Sequence, residues 1–256
     1  QDVPKPRQIF ASSGNSSVQL RRLGELMWIY IETLPSTSWP ISKSYWDTSS
    51  FQILSSDANT GEIIIDYDKS SILKMTIEHG IKEASTEIFL TQVTKDSNEL
   101  VSNEELIQSE LENVVNYFAE SINSFSGTSL AAQNLNEKKK AKIFTENGQT
   151  VIELDLSFNR AWSSVSKALS AANIISNDKD RSKGVLYVSY VKEKKGGFLS
   201  FLGLGNSNAE IAFTEEAEFE INIVEESNKS YVKAISKNGK IEEAEQLLSR
   251  INEALN

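Results

Sequence analysis

Apolar and polar residues alternate at period two through "VIELDL" (residues 151–156), and then the period changes: Phe158, Trp162, Val165, Leu169 and Ala172 recur at helical spacing. That switch predicts a strand followed by a helix of roughly four turns, with Ser157 in the N-cap position. "DRSKG" comes next as a turn, with Gly184 available for positive φ, and leads into the strand "VLYVSY". Near the end of the chain, Ala244, Leu247, Leu248, Ile251 and Leu255 share one face of a closing helix.

The same pattern occurs earlier in the chain. Sliding the stretch from "WIYIETLPSTSWPISKSYW" through "DANTGEIIIDY" forward by 123 positions places Trp39 on Trp162, Asp57 on Asp180, Gly61 on Gly184, Ile65 on Val188 and Tyr67 on Tyr190 without a gap. Pro35 and Pro40 predict that the helix of the earlier copy is short and is kinked or delayed at its N-terminus. Farther on, a displacement of 133 matches Glu83, Ala84, Glu87 and Ile88 to Glu216, Ala217, Glu220 and Ile221. It also matches Leu111, Val114, Val115, Phe118 and Ile122 to the apolar face of the closing helix. The two displacements leave ten residues unmatched, and the uncharged run "GGFLSFLGLG" (196–205) lies in that interval as an elaboration the shared fold does not need.

Strands with one helix after the first and another at the end predict an α+β fold: two tandem units, each an antiparallel sheet with helices packed on one face. The boundaries read as a flexible N-terminal arm at 1–17, a first domain at 18–126, a linker at 127–147 rich in Ser, Asn, Gln and Lys, and a second domain at 148–256.

Composition narrows the function classes. Acidic residues outnumber basic ones 36 to 26, a net charge of −10, which speaks against a nucleic-acid partner. No run approaches the roughly 20 apolar residues of a membrane span, and "QDVPKPRQIF" lacks the charged and apolar regions of a signal peptide, so any such peptide is expected to have been removed. The absence of cysteine excludes disulfides and thiolate chemistry. His79, the one histidine, reads as a turn residue without catalytic or metal-binding partners. Asp178 and Asp180 are interrupted by Lys179, Arg181 and Lys183 and do not make a calcium loop; Asp180 aligns with Asp57 and reads as a turn cap. "GLGNSN" completes no phosphate-binding motif. The run "EKKK" (137–140) reads as a solvated linker face, and Trp28, Trp39, Trp46 and Trp162 read as core. No cofactor is implied, and no nucleophile, base and orienter set supports a hydrolase.

With the duplication and its Trp, Asp-to-Gly and Tyr landmarks in place, the chain resembles the BamC (NlpB) family, lipoprotein subunits of the bacterial outer-membrane β-barrel assembly machinery. "RRLGELMWIYIETLPSTSWPISKSYWDTSSFQILSSDANTGEIIIDY" and "LDLSFNRAWSSVSKALSAANIISNDKDRSKGVLYVSYV" carry the resemblance, together with "GGFLSFL", which is similar to the family's "GFF" run. The resemblance implies two helix-grip domains and a non-catalytic role in protein assembly. It also implies an N-terminal lipid anchor in the outer membrane, facing the periplasm or the surface, and attachment to a BamD-like subunit through the segment before the first domain. The family's lipidated Cys is absent from this sequence, its long N-terminal segment is short here, and "DKSSILKMTIEHGIKEAST" is shorter than the family pattern. Pro4, Pro6, Ile9 and Phe10 in the arm, and Phe198, Leu199, Phe201 and Leu202 in the unmatched run, are the expected partner-binding residues. The alternative is a helix-grip carrier of a small apolar ligand, which needs a cavity of several hundred Å³ beneath one of the long helices.

Overall fold

Glycine turns and period-two strands build each half of the chain around a sheet of its own. The structure, a computed structural model, describes residues 6–11, 17–125, 127–190 and 217–256, and the chain divides into two units at Lys140/Ala141.

In the first unit, the strands are β1 (Arg7–Ala11), β2 (Val18–Leu23), β3 (Leu26–Ile31), β4 (Gln52–Asp57), β5 (Glu62–Asp66), β6 (Ser71–His79) and β7 (Thr86–Thr94). They lie in the order β1-β2-β3-β7-β6-β5-β4, every neighbouring pair antiparallel. Alternate residues of β6, namely Leu73, Met75 and Ile77, are fully buried, as period two requires of a sheet with one apolar face. Against that core pack Trp39, Ile41 and Trp46 of α1 (Pro35–Thr48) and Leu111, Val114, Val115 and Phe118 of α2 (Glu104–Ser121). Asn103 caps α2 by accepting from the Leu106 amide at 3.2 Å, and Glu104 and Glu105 complement its dipole.

The helix expected to be short and kinked or delayed at its N-terminus is instead a continuous helix of 14 residues. Pro35 sits in its first turn, where no donor is needed. Pro40 cannot bond the Ser36 carbonyl one turn back, and that carbonyl accepts from the Ser129 amide at 2.9 Å instead. The residues that supply this bond belong to the segment expected as a linker. Asn136 accepts from the Ser36 amide at 3.0 Å and donates to the Ser36 hydroxyl at 2.9 Å. Ala132 and Leu135, around α3 (Gln133–Asn136), are buried in the first core. Ala132 and Leu135 thus help to strap α1 to the core, which composition does not reveal.

The second unit comprises β8 (Ala141–Glu146), β9 (Gln149–Leu154), β10 (Ile175–Asp180), β11 (Val185–Tyr190), β12 (Ala217–Glu226) and β13 (Lys229–Ser236), with α4 (Phe158–Ala171) and α5 (Ile241–Leu255). Its antiparallel sheet runs β10-β11-β12-β13-β9-β8. This is the order of β4-β5-β6-β7-β3-β2 in the first unit. The bounds of β8, β9, α4 and β10 stand 123 positions after those of β2, β3, α1 and β4. Residues 141–147, expected as linker, are therefore a strand of this sheet and the start of its turn.

Two glycines correct the later part of the alignment. The Gly61 carbonyl accepts from the Ile77 amide at 2.7 Å, and the Gly184 carbonyl accepts from the Ile223 amide at 2.8 Å. Ile223 stands 146 positions after Ile77, so β12 answers to β6 and the unmatched stretch between β11 and β12 amounts to 23 residues rather than ten. The displacement of 133 had matched the start of β7 to β12, because alternating Glu and apolar residues fit any strand of such a sheet. Matching α2 to α5 at 133 does place buried faces together. Gly184 has φ of +69°, and a Cβ there would overlap the Ile223 carbonyl oxygen. Gly184→Ala is expected to lower the stability of the second unit by about 1–3 kcal/mol in urea unfolding.

The arm is a strand in part. Residues 7–11 pair with β2, placing Phe10 opposite Leu20, with a register shift between Gln8 and Phe10. That bulge breaks the alternation by which a strand is read from sequence.

Candidate partner-binding surfaces

The expected arm residues take different positions. Phe10 packs against the first core, whereas Ile9 is 37% exposed on the edge strand β1. Pro6 is half-buried. Pro4 lies outside the described residues, as do Phe198, Leu199, Phe201 and Leu202.

One concave feature of the second unit was missed by the sequence reading. The ladder between β9 and β13 consists of Leu154–Ser230, Glu153–Tyr231 and Ile152–Val232. Beyond it lies a groove of about 550 Å³, lined by Thr150 of β9, Ala234 and Ile235 of β13, and Ile241, Ala244 and Leu248 of α5. Asn222, Lys233 and Glu245 add polar groups. Ile235 and Ile241 are 49% and 66% exposed, so the groove is open to solvent rather than sealed. Exposed apolar side chains around a concavity mark an interaction surface more often than singly scattered ones do. Period alone places Ile241 at a helix start and Ile235 on a strand; nothing in the pattern shows that these two face a common opening.

The charged groups are occupied structurally. Lys140, inside "EKKK", is not solvated: its Nζ lies 2.5 Å from Glu87 Oε2 and 3.0 Å from Glu78 Oε2, and it is 5% exposed. Lys229 donates to Glu153 at 2.8 Å and holds that carboxyl below its ordinary range. His79 ends β6, buried, with Nδ1 2.6 Å from the Gly80 carbonyl oxygen. The four tryptophans are buried, at 5% exposure or less. Among the described residues no group of three or more His, Asp or Glu side chains could hold a metal ion, and no helix is long and apolar enough to cross a membrane.

Asp57 and Asp180 cap equivalent turns. Asp57 Oδ1 accepts from the Asn59 amide at 2.9 Å, and Asp180 Oδ1 accepts from the Ser182 hydroxyl at 2.6 Å and the Lys183 amide at 3.2 Å. The bonds from Ser182 and Lys183 hold the Asp180 carboxyl down at about 2, against an ordinary 3.8. A depressed folded-state value contributes stability above the unfolded value and loses it as pH falls through the folded one. The melting-temperature difference between wild type and Asp180→Asn is therefore expected to be constant above about pH 4 and to close between about pH 4 and 2.

Residues 141–255 match the family described as outer membrane protein assembly factor BamC-like C-terminal domain. An outer membrane protein assembly factor BamC of Thiobacillus denitrificans (strain ATCC 25259 / T1) is 24% identical over 210 residues, 68% of this chain and 56% of that protein. Another, of Accumulibacter regalis, is 29% identical over 105 residues, 39% of this chain and 27% of that protein. The second unit is thus a BamC-like C-terminal domain. The BamC-like C-terminal domain begins at the first residue of β8 and ends at the last residue of α5, so the groove lies wholly inside it. The chain spans about half the length of the first BamC relative and about a quarter of the second. Among solved structures, the di-domain ARO/CYC StfQ from the steffimycin biosynthetic pathway aligns over 98% of this chain and 84% of its own at 9% identity, with a TM-score of 0.19 that carries no argument about the fold.

Proposed function

We propose that this chain is a BamC-family, non-catalytic accessory subunit of the outer-membrane β-barrel assembly machinery and acts by protein–protein contact. The open groove beside Ile235 and Ile241, in the domain that matches the family, is the observation that carries this reading. The names of the two relatives give the assembly context. Two tandem units of helix-grip type present the contact surfaces, and other subunits of the machinery are the partners. A BamD-like subunit takes the N-terminal segment, Pro4, Pro6 and Ile9, with Phe10 anchoring that segment to the first sheet. In the full-length protein an N-terminal lipid holds the chain to the outer membrane, facing the periplasm or the surface.

Phe198, Leu199, Phe201 and Leu202 are the second contact. The chain leaves β11 at Tyr190 and re-enters β12 at Ala217, which are paired residues. Two residues on, Phe219 pairs with Ser236, one of the groove residues. A carrier of small apolar ligands would need an enclosed cavity, and the exposure of Ile235 and Ile241 disfavours that role.

Co-purification of the machinery from envelopes tests the proposal with three variants of the lipidated full-length protein: Ile9→Asp, Ile235→Glu with Ile241→Glu, and Phe198, Leu199, Phe201 and Leu202 all to Ser. Ile9→Asp is expected to lower recovery of the BamD-like subunit at least about tenfold, and the other two to lower recovery of further subunits, with melting temperature unchanged. Recovery equal to wild type in all three variants would overturn the reading.

A further inference from the structure

The sheet of the second unit has an edge that its counterpart in the first unit does not leave open. β8 turns into β9 through Asn147 and Gly148, both at positive φ. In such a two-residue hairpin, Glu146 and Gln149 form the hydrogen-bonded pair next to the turn. Glu146, Phe144 and Lys142 then bond toward β9, while Thr145 and Ile143 direct their amides and carbonyls outward. β2 has the same arrangement with β3, and its outward residues Arg22 and Leu20 face Arg7 and Phe10 of β1. Among the described residues no strand covers β8. Residues 142–146 are all exposed; Ile143 and Phe144 are 40% and 38% accessible, whereas Leu20, the counterpart of Ile143 under β1, is fully buried.

We infer that β8 pairs edge to edge, antiparallel, with β8 of a second copy of this chain. The argument for that occupant is charge complementarity in one register. Outward groups must meet outward groups, so the two-fold axis passes through Phe144, Ile143 or Thr145. Centred on Phe144, the pairing sets Lys142 opposite Glu146 of the other copy at both ends, Ile143 opposite Thr145, and the two Phe144 rings against each other in the closely spaced, non-hydrogen-bonded position. Centred on Thr145, it sets Glu146 against Phe144 and pairs no charges; centred on Ile143, it sets Lys142 against Phe144 and brings Glu146 only to Lys140, which is buried against Glu87. Glu146 also has Lys233 of its own sheet at 3.5 Å, so its carboxylate sits between two cations in the paired state. The patch is one short strand per copy, well below the area of a permanent dimer, and the association is weak and concentration-dependent. This inference does not rest on the assembly role.

Sedimentation velocity of the full chain over a wide concentration range tests it, with thermal melts to confirm folding. Wild type is expected to shift from monomer to dimer. Glu146→Lys sets two lysines across each end and weakens the dimer at least about tenfold. Lys142→Glu combined with Glu146→Lys restores opposite charges and restores the dimer. Thr145→Pro, which removes an outward donor that an edge strand can spare, abolishes pairing while the fold is kept. A monomer at all concentrations, or a dimer that Glu146→Lys and Thr145→Pro leave intact, would refute the inference. So would a monomer that uses the Thr145 edge to hold a different protein.

Discussion

Replacing Lys140 with Met lowers the stability of the first unit by about 3–5 kcal/mol, because it removes one partner from an ion pair taken out of water. Glu87 is 3% exposed, on the face of β7 opposite the core residues Ile88 and Leu90. Its carboxylate has the Lys140 ammonium at 2.5 Å, and that ammonium also lies 5.1 Å from the centroid of the Phe89 ring. Desolvating two ions costs nearly what their attraction returns, so the intact pair adds little, whereas a buried carboxylate that loses its ammonium is expensive. Lys140→Met combined with Glu87→Leu should therefore recover most of the loss. Urea unfolding of the three variants measures both effects; a Lys140→Met chain within about 1 kcal/mol of wild type would mean that water reaches Glu87.

The second large effect is expected at the tryptophans. Trp46→Ala and Trp162→Ala should each cost about 3–5 kcal/mol, the transfer term plus the cavity left behind. Trp46 is fully buried, meets Tyr45 edge-on at 4.9 Å and Phe51 at 6.1 Å, and donates from Nε1 to the Met75 sulfur at 3.2 Å. Trp162 is 1% exposed, with the Phe158 ring at 5.7 Å. Each lies in the interior of its own unit, so Trp46→Ala should destabilise the first and Trp162→Ala the second. Hydrogen exchange resolved along the chain reads the two separately. Equal loss of protection in both units from either substitution would show one cooperative interior instead.

Much of the architecture was legible because it is periodic. The apolar faces of α2 and α5 and the Asp57 and Asp180 turns closing on Gly61 and Gly184 all follow from local rules acting within a few residues. Less of the candidate surface could be read. Ile9 and Phe10 are neighbours in sequence, yet the bulge in β1 leaves one exposed and packs the other on the core. Ile235 and Ile241 are ordinary apolar positions until β13 and α5 bring them to one opening.

The chain's own pattern of residues determined the α+β class, the buried tryptophans and the matched turns, since each depends on a period or a dihedral preference that neighbours in sequence enforce. Tertiary structure alone decided which strand answers to which beyond Tyr190, because alternation satisfies every register of a sheet and only the Gly61–Ile77 and Gly184–Ile223 bonds choose among them. It also decided the fate of residues 129–146. A buried lysine, a strap on a proline-containing helix and a strand edge that no described strand covers are set by what long-range packing places beside them, and polar composition is the same whether such residues meet water or a partner.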